Sequence, residues 1–184
     1  MLVAITGTIG SGKSTVTDIL RKKGKNVISC DEINAKLLTE SSYIEKIASE
    51  FPSCVKDGRI DKKILSDIVF TDENQRKKLN AIAHPAIFER VVNEAKLLKG
   101  DVFVEVPLLA ESGQDKYFDS IWVITCDETR QLNRIVERDK IPLDKAKIIY
   151  NRQKEFEADF SKPVIYIENN ADYNELKAKI EKIL

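Results

Sequence analysis

Gly7-Thr8-Ile9-Gly10-Ser11-Gly12-Lys13-Ser14 follows the order G-x-x-x-x-G-K-[ST] and begins only six residues into the chain. The apolar, partly β-branched run Leu2 to Thr6 precedes it and reads as a strand buried on both faces. After it, Val16, Ile19 and Leu20 recur at the spacing of one helix face between Lys13 and Lys23, with Gly24 as a stop signal. A glycine turn between a strand and a helix has a specific physical use. Glycines let the backbone curl until successive N–H groups converge on one point. The helix that follows opens with unpaired N–H groups and a partial positive charge. Together they make a cradle for phosphate. Thr8, Ile9, Gly10, Ser11, Gly12 and Thr15 are expected to line it, with Lys13 on the β- and γ-phosphates and the Ser14 hydroxyl on Mg²⁺.

Asn26 to Ser29 reads as a second strand, completing a βαβ unit with a right-handed crossover. From Asp31 to Lys99 the pattern is mostly helical, with stripes at Ile33, Leu37, Leu38 and at Ile44, Ile47, Ala48, Phe51. Asp57-Gly58 signals a turn, Asp61 caps a helix from Lys62 to Phe70, and Thr71 or Asp72 caps the next. Pro85 suits the first position of a helix running to about Lys99. Val102–Val106, Ser120–Cys126 and Pro163–Glu168 read as further strands. Helices are expected from Asp127, from Leu143 to about Phe160, and from Asp172 to Leu184. The result is an α/β fold of the P-loop NTPase type: five mostly parallel strands flanked by helices. About 70 helical residues exceed one simple crossover, so part of them is read as an inserted helical substrate domain. The expected division is a core of 1–30, 100–130 and 160–184, an insertion at about 31–99, and a lid at about 131–160.

Composition narrows the function. Thirty basic residues balance 30 acidic ones, so the chain lacks the cationic excess that counterion release on nucleic acid requires. No apolar stretch approaches the roughly 20 residues of a membrane span, and no basic region precedes the first apolar run. Three cysteines (Cys30, Cys54 and Cys126) and the single histidine His84 give no zinc spacing. They fit a cytoplasmic protein with reduced thiols.

Several side chains are candidates beyond the glycine loop. Asp31 closes the second strand; ligands of open parallel sheets bind beyond strand carboxyl ends, so it is expected to face the same crevice as Lys13. It serves there as proton acceptor for an attacking hydroxyl, as a helix cap, or as both. Glu105 ends the third strand as an indirect Mg²⁺ partner or an incidental charge. Arg134 and Arg138 share a helix face, either as lid arginines for phosphate or as a solvated face pairing with Glu137 or Asp139. His84 is a helix-start residue or a functional one.

Taken together, the segments ITGTIGSGKST at 5–15, VISCDEINAKLL at 27–38, DGRIDKKIL at 57–65, LNAIAHPAIF at 79–88, VPLLAES at 106–112 and QLNRIVERD at 131–139 resemble the dephospho-CoA kinase family in family order. The resemblance implies transfer of the ATP γ-phosphoryl group to the ribose 3′-hydroxyl of dephospho-CoA, with Mg²⁺. It implies Asp31 as base or hydroxyl-orienting residue, Lys13 and Ser14 on ATP and Mg²⁺, Arg138 as the lid arginine, and His84 and Glu111 on the acceptor side. It also implies a helical CoA domain and a lid on the P-loop sheet. The sequence departs from the family at Thr8, where a glycine is usual, at Glu105, where Asp is common, and at Ile149, four residues before Gln153, where an arginine is usual. Thr8 is harmless if its φ is negative. The expected protein acts on a small molecule, without nucleic acid or membrane, as a monomer or weak homo-oligomer. Two other readings remain: a P-loop kinase for a nucleoside, nucleotide or small acid, and a nucleotide-dependent switch. The absence of an N-K-x-D guanine-reading sequence weighs against a GTPase.

Overall fold

Strands apolar on both faces need cover on both faces, and the chain meets that need by alternating strands with helices. The computed structural model describes residues 1–107, 109–153 and 159–184. In chain order come β1 (Leu2–Thr6), α1 (Lys13–Lys22), β2 (Asn26–Ser29), α2 (Cys30–Leu37) and α3 (Ser41–Glu50). Next are β3 (Val55–Lys56), β4 (Arg59–Ile60), α4 (Lys62–Thr71), α5 (Glu73–Lys96) and β5 (Val102–Glu105). The rest are α6 (Leu109–Ser112), β6 (Ser120–Thr125), α7 (Glu128–Asp139), α8 (Leu143–Asn151), β7 (Val164–Glu168) and α9 (Tyr173–Ile183). The chain divides into two units, residues 1–28 with 97–184, and residues 29–96.

The first unit is built on a five-stranded sheet of order β2-β5-β1-β6-β7. β1 pairs in parallel with β5 and β6, placing Ile5 beside Glu105 and Trp122, and β6 pairs in parallel with β7. Parallel pairing gathers the segments that leave β1, β5, β6 and β7 at one end of the sheet, where such folds bind ligands. Val3 and Ile5 of β1, Val16, Ile19 and Leu20 of α1, and Leu176 and Ile180 of α9 share one buried cluster. Phe103 and Trp122 meet inside it with ring centroids 5.1 Å apart. A second cluster joins Leu132 and Ile135 of α7 to Ala146 and Tyr150 of α8, with Ile9 packed against it.

The second unit is helical. α5 packs against α2, α3 and α4, burying Ile33, Leu37, Ile44, Ile47, Ile87, Phe88 and Val91. Asp57 and Gly58 both have positive φ (50° and 69°), as a two-residue type I′ hairpin requires. The expected turn therefore carries two short strands that pair Val55 with Ile60. Asp61 and Asp72 cap α4 and α5 by accepting first-turn N–H groups, as Asp172 does for α9.

Three expectations change. The helix holding Pro85 starts at Glu73, runs through the proline and ends at Lys96. Pro85 and Ala81 are both exposed, so the carbonyl that the missing N–H leaves unpaired belongs to a solvent-facing residue. Asp31 is not a cap: the Ser29 hydroxyl accepts from the Glu32 N–H at 3.4 Å, and α2 begins at Cys30. The helix expected from Leu143 to Phe160 stops at Asn151. Its last turn tightens as the Gln153 N–H donates to the Tyr150 carbonyl at 3.0 Å, and Asp159 and Phe160 are not helical. Residues 154–158 of that expected helix, and Leu108 of the Pro107-Leu108-Leu109 segment, lie outside the described residues. No helix among the described residues is long and apolar enough to cross a membrane.

Because Pro85 costs α5 one backbone hydrogen bond on its wet face, Pro85→Ala should stabilise the protein by about 1–2 kcal/mol. Urea unfolding checks this: an unchanged or lower midpoint contradicts it.

Candidate phosphate-binding site

The loop between β1 and α1 holds three glycines in positive-φ conformations: Gly7 at 147°, Gly10 at 74° and Gly12 at 97°. Gly12 is the N-cap of α1 and the helix has no side-chain cap, so its first-turn N–H groups are left to an anion. The Lys13 ammonium folds back onto the carbonyls of Gly7 (2.8 Å) and Thr8 (3.1 Å). Thr8 is absent from the residues with positive φ, so its Cβ is tolerated.

The glycines answer a second demand, from behind the loop. A Cβ on Gly7 would collide with the Ile124 carbonyl, and one on Gly12 with the Asn169 amide. At Gly10 it would lie 2.8 Å from the Gln131 carbonyl oxygen. The loop is thus pressed against the end of β6, the first turns of α7, and the residue that follows β7. The Thr8 hydroxyl donates to Gln131 Oε1 at 2.7 Å, and Gln131 Nε2 donates to the Cys126 carbonyl at 2.5 Å. The family departure at Thr8 therefore adds a tether that glycine lacks. The Ile9 N–H donates to Gln153 Oε1 at 2.9 Å. Buried Asn169 donates through Nδ2 to the Ser11 carbonyl at 2.7 Å.

Arg134 belongs to this rear wall. Its Nη1 donates to the carbonyls of Gly10 (3.1 Å) and Ser11 (3.2 Å), and its Nη2 to the Asn169 carbonyl (3.4 Å). Arg138 lies one turn on and is exposed, its guanidinium bonded to both oxygens of Asp139 at 2.7 and 2.8 Å. That bond raises the arginine's pKa and holds the aspartate's below the ordinary carboxylate range. Cys126 Sγ lies 3.4 Å from Arg134 Nη1 and 3.3 Å from the Asn169 carbonyl, and burial pushes its thiol pKa up.

Glu105 meets α1 through Thr17. The Thr17 hydroxyl lies 3.2 Å from Glu105 Oε2 and 3.0 Å from the Ser14 carbonyl. Ser14 is exposed and its hydroxyl has no hydrogen bond among the described residues. Among those residues no group of three His, Cys, Asp or Glu can hold a metal ion. The exposed Ser14 hydroxyl at the head of α1 is an oxygen ligand of the kind Mg²⁺ takes.

Thr8 through Thr15 are therefore together, with Arg138 and Glu111 elsewhere in the same unit. Glu111 is exposed on α6. Asp31 and His84 belong to the helical unit, Asp31 exposed in the first turn of α2 and His84 half-buried on α5. The Asp31 carboxylate has no hydrogen bond or ion pair among the described residues. Sequence reasoning missed Gln131, Gln153 and Asn169. A signal existed for two of them: Gln131 adjoins buried Leu132 on α7, and Asn169 follows a strand of the sheet.

A family model described as dephospho-CoA kinase matches residues 1–175. Dephospho-CoA kinase of Fusobacterium nucleatum is 41% identical over 186 residues, covering 99% of this chain and 96% of the relative. The crystal structure of TT1252 from Thermus thermophilus has a TM-score of 0.80 at 26% identity, covering 100% of this chain and 95% of that one. Dephospho-CoA kinase from Campylobacter jejuni has a TM-score of 0.69 at 32% identity, covering 99% and 94%.

Gly12→Ala should abolish nucleotide binding while leaving the sheet folded, because the added methyl displaces Asn169 from the loop. Titration calorimetry with Mg·ADP beside circular dichroism tests this; near-normal affinity would show that the loop tolerates the displacement.

Proposed function

The chain belongs to the dephospho-CoA kinase family, which phosphorylates dephospho-CoA with ATP in coenzyme A biosynthesis, and from that premise we propose how its residues divide the work. The observation that carries the reading is the uncapped head of α1 behind a glycine loop whose carbonyls hold the Lys13 ammonium. Lys13 moves from those carbonyls to the β- and γ-phosphates. The N–H groups from Gly10 to Thr15 hold the remaining phosphate oxygens. The Ser14 hydroxyl would hold a Mg²⁺ ion bound with the nucleotide, and that ion would supply charge neutralisation for the phosphates. Glu105 supports that site through Thr17.

In the transfer, the ribose 3′-oxygen of dephospho-CoA bonds to the γ-phosphorus. The bond from that phosphorus to the β,γ-bridging oxygen breaks, and ADP leaves with the electron pair. The hydroxyl proton passes to Asp31, whose lone pairs are spent on no donor among the described residues. Arg138 exchanges Asp139 for the transferring phosphate, since an exposed ion pair of this kind is weakly held. His84 and Glu111 serve the acceptor, residues 29–96 form its binding unit, and residues 131–160 act as the lid. The lack of a disulfide at Cys30, Cys54 and Cys126 and a net charge of zero support a cytoplasmic enzyme, monomeric or weakly homo-oligomeric, that acts on a small molecule and not on nucleic acid.

The decisive assay supplies Mg·ATP and dephospho-CoA and identifies the product by mass and phosphate position. ADP should appear only with the acceptor. Phosphorylation of a nucleoside monophosphate with dephospho-CoA inert would overturn the reading. Asp31→Asn should lower kcat by roughly 10²–10⁴ while ATP affinity stays within about twofold; wild-type turnover rejects the role. Lys13→Ala should weaken both ATP binding and turnover, and an unchanged ATP Kd contradicts the assignment.

A further inference from the structure

A loop that binds anions through its N–H groups faces a problem before the anion arrives. Its peptide dipoles point the same way and repel one another, and glycine offers little steric resistance to a peptide flip. What keeps the N–H groups turned inward must act on the other end of the same peptides, the carbonyls. Here two consecutive carbonyls, Gly10 and Ser11, both accept from Arg134 Nη1 (3.1 and 3.2 Å), and Ser11 accepts a second bond from Asn169 Nδ2 at 2.7 Å. Asn169 is 3% exposed, and its own N–H is fixed to the Thr125 carbonyl at 2.8 Å. A flip of the Ser11–Gly12 peptide would forfeit both bonds at Ser11 and leave a buried amide unpaired.

The charge of Arg134 is placed to matter as well. Among the described residues its partners are the carbonyls of Gly10, Ser11 and Asn169 and the sulfur of Cys126; none of these is an acid. A half-buried guanidinium with only neutral acceptors is costly unless an anion lies close by. Each loop carbonyl it holds shares a peptide plane with the next N–H: that of Ser11, which donates to the Thr8 carbonyl at 3.2 Å, and that of Gly12. Drawing electron density toward the carbonyl oxygen strengthens that N–H as a donor.

We infer that Arg134 and Asn169 form a positioning pair for phosphate: they lock the Ser11–Gly12 peptide in the anion-binding orientation, hold the Gly10–Ser11 peptide in the curl that supports it, and polarise both from behind. Arg134 thereby differs in task from Arg138, four residues on, though both lie on α7. The inference rests on the phosphate-binding reading of the loop, and the wild-type protein separates the two. If wild type binds no nucleotide, that reading falls; if wild type binds and the variants bind equally well, only the pair falls.

The test measures Kd for Mg·ATP and for inorganic tripolyphosphate by calorimetry, with KM for dephospho-CoA and the melting temperature alongside. Arg134→Met should weaken ATP and tripolyphosphate by the same factor, about 30- to 300-fold, with acceptor KM within about twofold. Arg134→Lys keeps the charge without the fork and should fall between. Asn169→Ala should cost about 10-fold, and isosteric Asn169→Asp more, because a carboxylate offers Ser11 no donor and neutralises Arg134. A lower melting temperature with wild-type tripolyphosphate affinity overturns the inference, since a merely structural role predicts that result. A loss seen with ATP but not tripolyphosphate also overturns it, by assigning Arg134 to the nucleoside. Should Arg134→Met fail to fold, the Asn169 pair decides by the same criteria.

Discussion

The back of the phosphate loop is as constrained as its front. Its glycines lie so close to the Ile124 carbonyl, the Gln131 backbone and the Asn169 amide that no side chain fits between. That closeness turns the loop's carbonyls into acceptors for α7 and for the end of β7, and leaves the N–H groups at the head of α1 for a ligand. The parallel sheet makes the closeness possible, because it delivers the chain leaving β1, β6 and β7 to one edge in register. Sheet order, the start of α7 and the loop conformation are therefore one arrangement seen at three scales.

The same logic separates two arginines that spacing alone makes equivalent. Arg134 and Arg138 are four apart, and either suits a solvated face or a phosphate contact. Position decides between them. Arg134 falls where the Gly10 and Ser11 carbonyls need donors, whereas Arg138 falls past the loop and pairs with the adjacent Asp139. The distinction comes from the seat of α7 against the loop, which Ile9, Leu132 and Ile135 secure by apolar packing.

Features governed by local chemistry were legible in the residues. The buried run of β1, the glycine loop, and the Asp61 and Asp172 caps each follow from a handful of neighbouring side chains. Features set by tertiary context were not. Pro85 breaks the local helix rule because both it and Ala81 face water, which no short window of sequence reveals. Ser29 displaced Asp31 as the cap because α2 starts one residue before Asp31. Gln153 and Asn169 stand 144 and 158 residues from their partners in the loop; nothing local marks Gln153 as a contact of the glycines, and Asn169 carries only its place at the end of a strand. Gln131 was closest to legible, as a polar residue among the buried positions of α7.

Ile9 couples two things usually treated apart. Its side chain belongs to the apolar cluster between α7 and α8, its N–H is held by Gln153 just beyond α8, and its backbone is part of the phosphate cradle. Thermodynamic reciprocity then applies: whatever factor phosphate contributes to the seating of that helical hairpin, the hairpin returns to phosphate affinity. Substitutions on the far side of α7 or α8, remote from any nucleotide atom, inherit a route to nucleotide affinity through one isoleucine.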